Sequence, residues 1–240
     1  MNKSAARCWI CGVPAASGEH IPKKATVRDV FGVVSQAQPL YHSSAKQRNR
    51  MLQSINSTQL KLRVLCGDCN SGLTQPYDRA WDQWWRYLSS NALSLANGAW
   101  IRRSRVFSSN VAASMMDLHL YAVKLMGCAA AVFDLNLDMA GMADAMKRRK
   151  AYPWVFLGVG NRTWVTELNF AGPSDLCSIQ DEATGRCVYA VFFLVVGGWE
   201  FQFVYAAPGQ IREGMRDCWN PVSTRLTRKL RLKEFEAKQK

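Results

Sequence analysis

An α+β fold is predicted by three features of this 240-residue sequence. Turn-rich text with two cysteine pairs runs to about residue 75, helix-period apolar stretches run from there to residue 150, and strand-period runs follow Pro153. The cysteine pairs, Cys8-Trp9-Ile10-Cys11 and Cys66-Gly67-Asp68-Cys69, have identical spacing. A two-residue spacer lets both sulfurs of a pair face one ion, and two pairs complete tetrahedral coordination, which predicts structural zinc on Cys8, Cys11, Cys66 and Cys69. Such a four-sulfur shell has no open position for water, so a catalytic ion would be a second one with other ligands. The alternative is two unrelated pairs, buried as thiols or joined as redox dithiols, although neither stands in a thioredoxin-like strand-to-helix context. From Cys8 to about Leu73 no long periodic apolar pattern offers a core without a metal clip. The expected organisation is a zinc module over residues 1–75, a helical and antiparallel-sheet domain over 76–222, and a basic tail over 223–240.

The elements follow in order. Leu60 to Leu65 alternates apolar and basic side chains, predicting a half-buried strand that delivers Cys66 to the metal and places Lys61 and Arg63 on one face. Pro76 suits a first helical turn, and Trp81, Trp84, Trp85 and Leu88 then form the stripe of a core-facing helix rather than a base-stacking platform. Val111 to Phe133 reads as a buried helix, since Asp117, His119 and Lys124 interrupt it and argue against a membrane span. A third helix from Met139 to Lys150 ends in four cations that complement its dipole, with phosphate contact a secondary role. Strands are expected over Trp154–Val159, Thr163–Phe170, Cys187–Val196 and Trp199–Ala206, as an antiparallel meander covered on one face by the helices. The tail from Ser223 is expected to be a basic helix with a thin apolar edge.

Charge narrows the function. The net charge is +13, and residues 1–75 hold 10 basic against 3 acidic side chains while residues 212–240 hold 9 against 4. Concentrated cations displace the counterions of a polyanion, so nucleic acid, DNA first, is the expected partner. A merely soluble basic surface is the alternative. The expected phosphate contacts are Lys23, Lys24, Lys46, Arg48, Arg50, Lys61, Arg63, Arg228, Lys229 and Arg231. The polar stretch Ser43–Arg50 reads equally as a phosphate-touching or a solvated loop. Met1–Arg7 meets the first cysteines without an apolar stretch, which predicts a cytoplasmic protein with no membrane association; Cys128, Cys177, Cys187 and Cys218 read as small core residues.

The order Cys-x-x-Cys, Gly18-Glu19-His20-Ile21-Pro22, Cys-x-x-Cys-Asn70 resembles the zinc-containing branch of the HNH endonucleases, the His-Me finger superfamily, over about residues 8–75. The resemblance implies a ββα module in which His20 is the general base and Glu19 with Asn70 binds a catalytic Mg2+ or Mn2+. A neutral imidazole suits removal of a proton from attacking water, and carboxylate and carboxamide oxygens suit a hard cation. The middle asparagine of the pattern is not at its usual place, where Lys61 stands nearby, and Asn56 or Gln59 are the candidates for its role. His42 reads as a loop histidine and His119 as structural. The expected function is a metal-dependent nuclease; the alternative is a non-catalytic binding or regulatory protein with a degenerate site. A third reading makes the C-terminal body a partner-binding domain, in a phage-defence setting.

Overall fold

A computed structural model describes residues 6–43, 48–161, 170–222 and 229–233. In the N-terminal third, strand β1 (Ser17–His20) leads through a cis Ile21–Pro22 bond to helix α1 (Lys24–Phe31). A hairpin of β2 (Leu40–His42) and β3 (Arg50–Leu52) follows, and β4 (Lys61–Leu65) returns antiparallel to β1 with His20 opposite Lys61. A π-type turn over Asp68–Leu73, which holds Cys69, leads into α2 (Gln75–Ser90), with Pro76 in its first turn. The aromatic stripe does what its period demands: Tyr77, Trp81, Trp84, Trp85 and Leu88 are all buried. Trp81 stacks on Tyr121 with centroids 4.6 Å apart and meets Phe201 of the sheet at the same distance.

Strand β5 (Trp100–Arg102) and the short α3 (Arg103–Val106) precede α4 (Val111–Phe133), whose bounds are those the sequence predicts. Although long and apolar enough for a bilayer, α4 is mostly buried inside the body, against α2, β4 and the main sheet. Helix α5 (Met139–Lys147) begins at Asp138, whose carboxylate accepts from Gly141 N at 2.9 Å, and stops short of the expected Lys150. The cations beyond it are held by acids instead: Arg148 and Lys150 by Asp144, and Arg149 by Asp117, each at 2.7 Å.

The main sheet contains β6 (Val155–Asn161), β7 (Ala171–Pro173), β8 (Cys177–Gln180), β9 (Cys187–Val196) and β10 (Trp199–Ala206). Its order is β6-β10-β9-β7, with β8 also on β9, which corrects the expected meander. Every residue of β10 is buried, so that strand needs a neighbour on each side, and β6 supplies the second one across the sequence. The strand expected over Thr163–Phe170 lies outside the described residues except for Phe170, which is not in a strand. The tail also differs from the expected helix. Residues 223–228 and 234–240 lie outside the described residues, but β11 (Lys229–Arg231) pairs antiparallel with β5. The extended form lets Leu230 and Leu232 bury in the core, which a solvated basic helix could not do.

One apolar core runs from Ile10 and Leu65 through Trp81 and Tyr121 to Phe201 and Leu230, crossing the expected boundaries at 75/76 and 222/223. The first cysteine pair is seated on α4 through Trp9. Its indole fills the notch at Gly127 so closely that a methyl group there would collide with it.

Candidate metal centre and the face around His20

The Cys8, Cys11, Cys66 and Cys69 sulfurs all lie within 4.8 Å of one another, with Cys11 and Cys66 Sγ 3.6 Å apart. A tetrahedral zinc site with Zn–S near ~2.3 Å places its sulfurs about 3.8 Å apart, so the tetrad is positioned to hold one ion and its donors fit zinc. Two local features bring the pairs together. A turn over Cys8–Gly12 closes with Gly12 at φ 80°, and β4 delivers Cys66 directly into the π-type turn that carries Cys69.

Strand β1 runs beside this tetrad and splits Glu19 from His20. Successive strand side chains point to opposite faces. Glu19 turns into the core, where it is 5% exposed, and its carboxylate lies 2.9 Å from Lys124 Nζ of α4. Lys124 is itself fully buried and donates to both oxygens of Asp78 on α2, at 2.9 and 3.1 Å. Burial alone would lower the Lys124 pKa, but the two carboxylates outweigh it and hold the ammonium above its ordinary value. Glu19 is therefore corrected from an expected ligand of a hydrated catalytic ion to one member of a buried ion cluster that ties β1, α2 and α4 together.

His20 occupies the opposite, half-exposed face. Its Nε2 lies 3.2 Å from the Ile55 carbonyl oxygen, which only accepts, so Nε2 carries the proton and Nδ1 keeps the lone pair. No hydrogen-bond partner for Nδ1 stands among the described residues. Partial burial lowers the His20 pKa; the Ile55 carbonyl opposes that shift, while Lys61 and Lys24 reinforce it. The main chain thus supplies the orienting contact sought from Asn56 or Gln59: Asn56 Oδ1 instead accepts from Lys24 Nζ at 2.7 Å. The cue available in sequence was the turn-forming Ser54-Ile55-Asn56-Ser57 stretch, which marks a loop but not its contact.

Asn70 stands at the tetrad's edge with its carboxamide against β1. Nδ2 donates to Ser17 Oγ at 2.9 Å and weakly to the Gly18 carbonyl at 3.5 Å, and Oδ1 has no protein donor among the described residues. Asn70 therefore lies against the strand of His20, whereas Glu19 leaves that face. With its carboxylate removed, the donor set expected for Mg2+ or Mn2+ does not fit.

The expected phosphate contacts divide. Lys61 lies beside Gly18 on the His20 face, and Arg48, Arg50 and Arg63 are exposed. Lys23 is occupied, donating to both Asp82 oxygens at 2.8 and 2.9 Å and to the Asp78 carbonyl. Arg231 faces Asp217 at 3.4 Å, Lys229 lies on β11, and Lys46 and Arg228 fall outside the described residues. Of the other histidines, His42 lies on the β2–β3 hairpin. His119 is buried, accepting from Tyr152 N at 3.0 Å, and burial pushes its pKa down to about 3. Compared with known protein families, curated proteins and solved structures, the chain matches none of them.

Proposed function

We propose that this protein hydrolyses nucleic-acid phosphodiester bonds, with His20 as general base in a module clamped by zinc on the four cysteines. The observation that carries the reading is the Ile55 carbonyl on His20 Nε2, which directs an unprotonated Nδ1 onto a half-exposed face beside Lys61. A lowered pKa keeps the imidazole neutral near pH 7, the form able to take a proton from water. When water attacks phosphorus its proton passes to Nδ1, one ester P–O bond breaks and the leaving alkoxide takes a proton from solvent, while Lys61 and Lys24 offset the negative charge on the phosphoryl oxygens. The Asn70 oxygen is the remaining neutral donor on this side, and no step is assigned to a second ion.

A non-catalytic binding protein is the competing reading, favoured by the loss of Glu19 to the core. The two separate on plasmid DNA, single-stranded DNA and RNA incubated with zinc-loaded protein in Mg2+ or Mn2+. Cleavage that disappears in His20→Ala, with zinc content and folding intact, is the expected result. Equal inactivity of both proteins on all three substrates would retire the hydrolytic reading.

A further inference from the structure

We infer that the substrate is single-stranded RNA and that its own 2′-hydroxyl, activated by His20, attacks the neighbouring phosphorus with no divalent ion taking part in the step. The inference rests on the phosphodiester reading above and names the nucleophile and the substrate class for the same face. It starts from the misfit of the Mg2+ or Mn2+ donor set. Glu19, the one carboxylate of that set, is turned to the far side of β1, 5% exposed and held 2.9 Å from Lys124 Nζ. The charges that act on the His20 ring are those of two cations, Lys61 and Lys24. Two ammonium groups repel a divalent cation and attract a phosphate, so this face is built to take an anion.

Each cation is placed by a contact that leaves its charge intact. Lys61 stands opposite His20 in the β1–β4 pair, and its aliphatic stem lies across Gly18, where a Cβ would come within 2.9 Å of Lys61 Cδ. The bare backbone at Gly18 thus gives the stem its bed, two residues from the imidazole on the same strand. Lys24 Nζ donates to the neutral Asn56 Oδ1 at 2.7 Å. Among the described residues neither ammonium is paired with a carboxylate.

What a base and two cations can supply decides the nucleophile. A positioned general base contributes about 10²–10⁴-fold, and one donor aimed at developing charge about 10²–10³-fold. A nucleophile already tethered beside the phosphorus adds an effective concentration of about 10⁵–10⁸ M. RNA carries one in its 2′-hydroxyl and DNA does not. In the step, the 2′-hydroxyl proton passes to His20 Nδ1 as the O2′–P bond forms, the P–O5′ bond breaks, and O5′ takes a proton from a water molecule. The hydroxide left behind removes the proton from Nδ1 and restores the neutral ring, so the products are a 2′,3′-cyclic phosphate and a 5′-hydroxyl end. Attack in line with O5′ needs a linkage free to leave helical geometry, hence a single strand. The attack by water described above is then the opening of the cyclic phosphate.

The test incubates the full zinc-loaded chain with a labelled single-stranded RNA, in buffer freed of divalent cations beforehand and again with Mg2+ added. Matched strands of DNA and of 2′-O-methyl RNA probe the nucleophile without altering the protein. The wild-type chain is expected to cut the unmodified RNA alone, at a rate that Mg2+ does not raise, leaving 2′,3′-cyclic phosphate and 5′-hydroxyl ends. His20→Ala should lose about a hundredfold or more of that rate and Lys61→Gln about tenfold or more, with zinc content and melting midpoint retained. Cleavage that requires Mg2+, that proceeds equally on DNA or 2′-O-methyl RNA, or that leaves 5′-phosphate ends would overturn the inference while phosphodiester hydrolysis stands. Full activity in either variant would overturn it as well. No cleavage of any strand, with or without Mg2+, would overturn both.

Discussion

Replacing Lys124 by methionine tests the buried cluster that joins the N-terminal strands to the long helix. Methionine keeps most of the side chain's length and removes its charge. The Glu19 carboxylate, 5% exposed and 2.9 Å from the ammonium, then loses its ion-pair partner and keeps only the weaker influence of Lys23, and Asp78 loses contacts at 2.9 and 3.1 Å. Removing one partner of a buried ion pair costs about 3–5 kcal/mol, a large share of a typical domain stability of roughly 5–15 kcal/mol. Asp78, with its side chain 18% exposed, recovers some hydration, so the lower half of that range is expected. Adding Glu19→Gln removes the stranded charge and should restore about half of the loss or more. Urea unfolding of zinc-loaded protein reads both variants at pH 7. The sign with pH is fixed: in Lys124→Met the folded state raises the Glu19 pKa above its unfolded value, so the deficit grows as pH rises through the carboxylate range and shrinks as pH falls. A single variant within about 1 kcal/mol of wild type, or a double variant no better than the single, would refute the reasoning.

Two further predictions concern buried contacts. His119 has a folded pKa of about 3 against an ordinary value near 6.5, so the unfolded chain binds its proton first and stability falls as pH drops through that window. The full span corresponds to roughly 4–5 kcal/mol. His119→Gln keeps an acceptor for Tyr152 N and should flatten the stability slope between about pH 6.5 and 3 relative to wild type; parallel slopes would refute it. Gly127→Ala should cost about 1–3 kcal/mol by driving a methyl group against the Trp9 indole, and Trp9→Leu should relieve part of it. Additive losses in a double-mutant cycle would show that the contact carries no coupling.

Much of the fold was written locally. The long apolar run and its Asn110 cap fix α4, whose cap accepts from Ala113 N, and β-rich runs on either side of Gly197-Gly198 fix β9 and β10. The cysteine tetrad was legible because a two-residue spacer lets the sulfurs of a pair face one ion and two such pairs complete four-coordination. Long-range pairing was not: nothing near Val155 states that β6 will flank β10, and the tail's leucines show their strand only against β5. The Glu19 error had a cue in plain view. Adjacent residues of a strand face opposite ways, so Glu19 and His20 could not both serve one side of it, and a lone lysine inside an apolar helix marks where a buried carboxylate should be sought. The Ile55 carbonyl carries no side-chain signature at all, which is why no residue type could announce it.

The indole between the first two cysteines joins the tetrad to the interior. Trp9 sits between Cys8 and Cys11 and is seated at Gly127, so the tetrad and the longest helix are packed through one side chain; were zinc to hold the knuckle closed, a chain made under zinc starvation is expected to expose an unfilled slot there. Such a chain would become a client of chaperones and proteases instead of persisting as an idle apoprotein, and cellular abundance would follow metal supply.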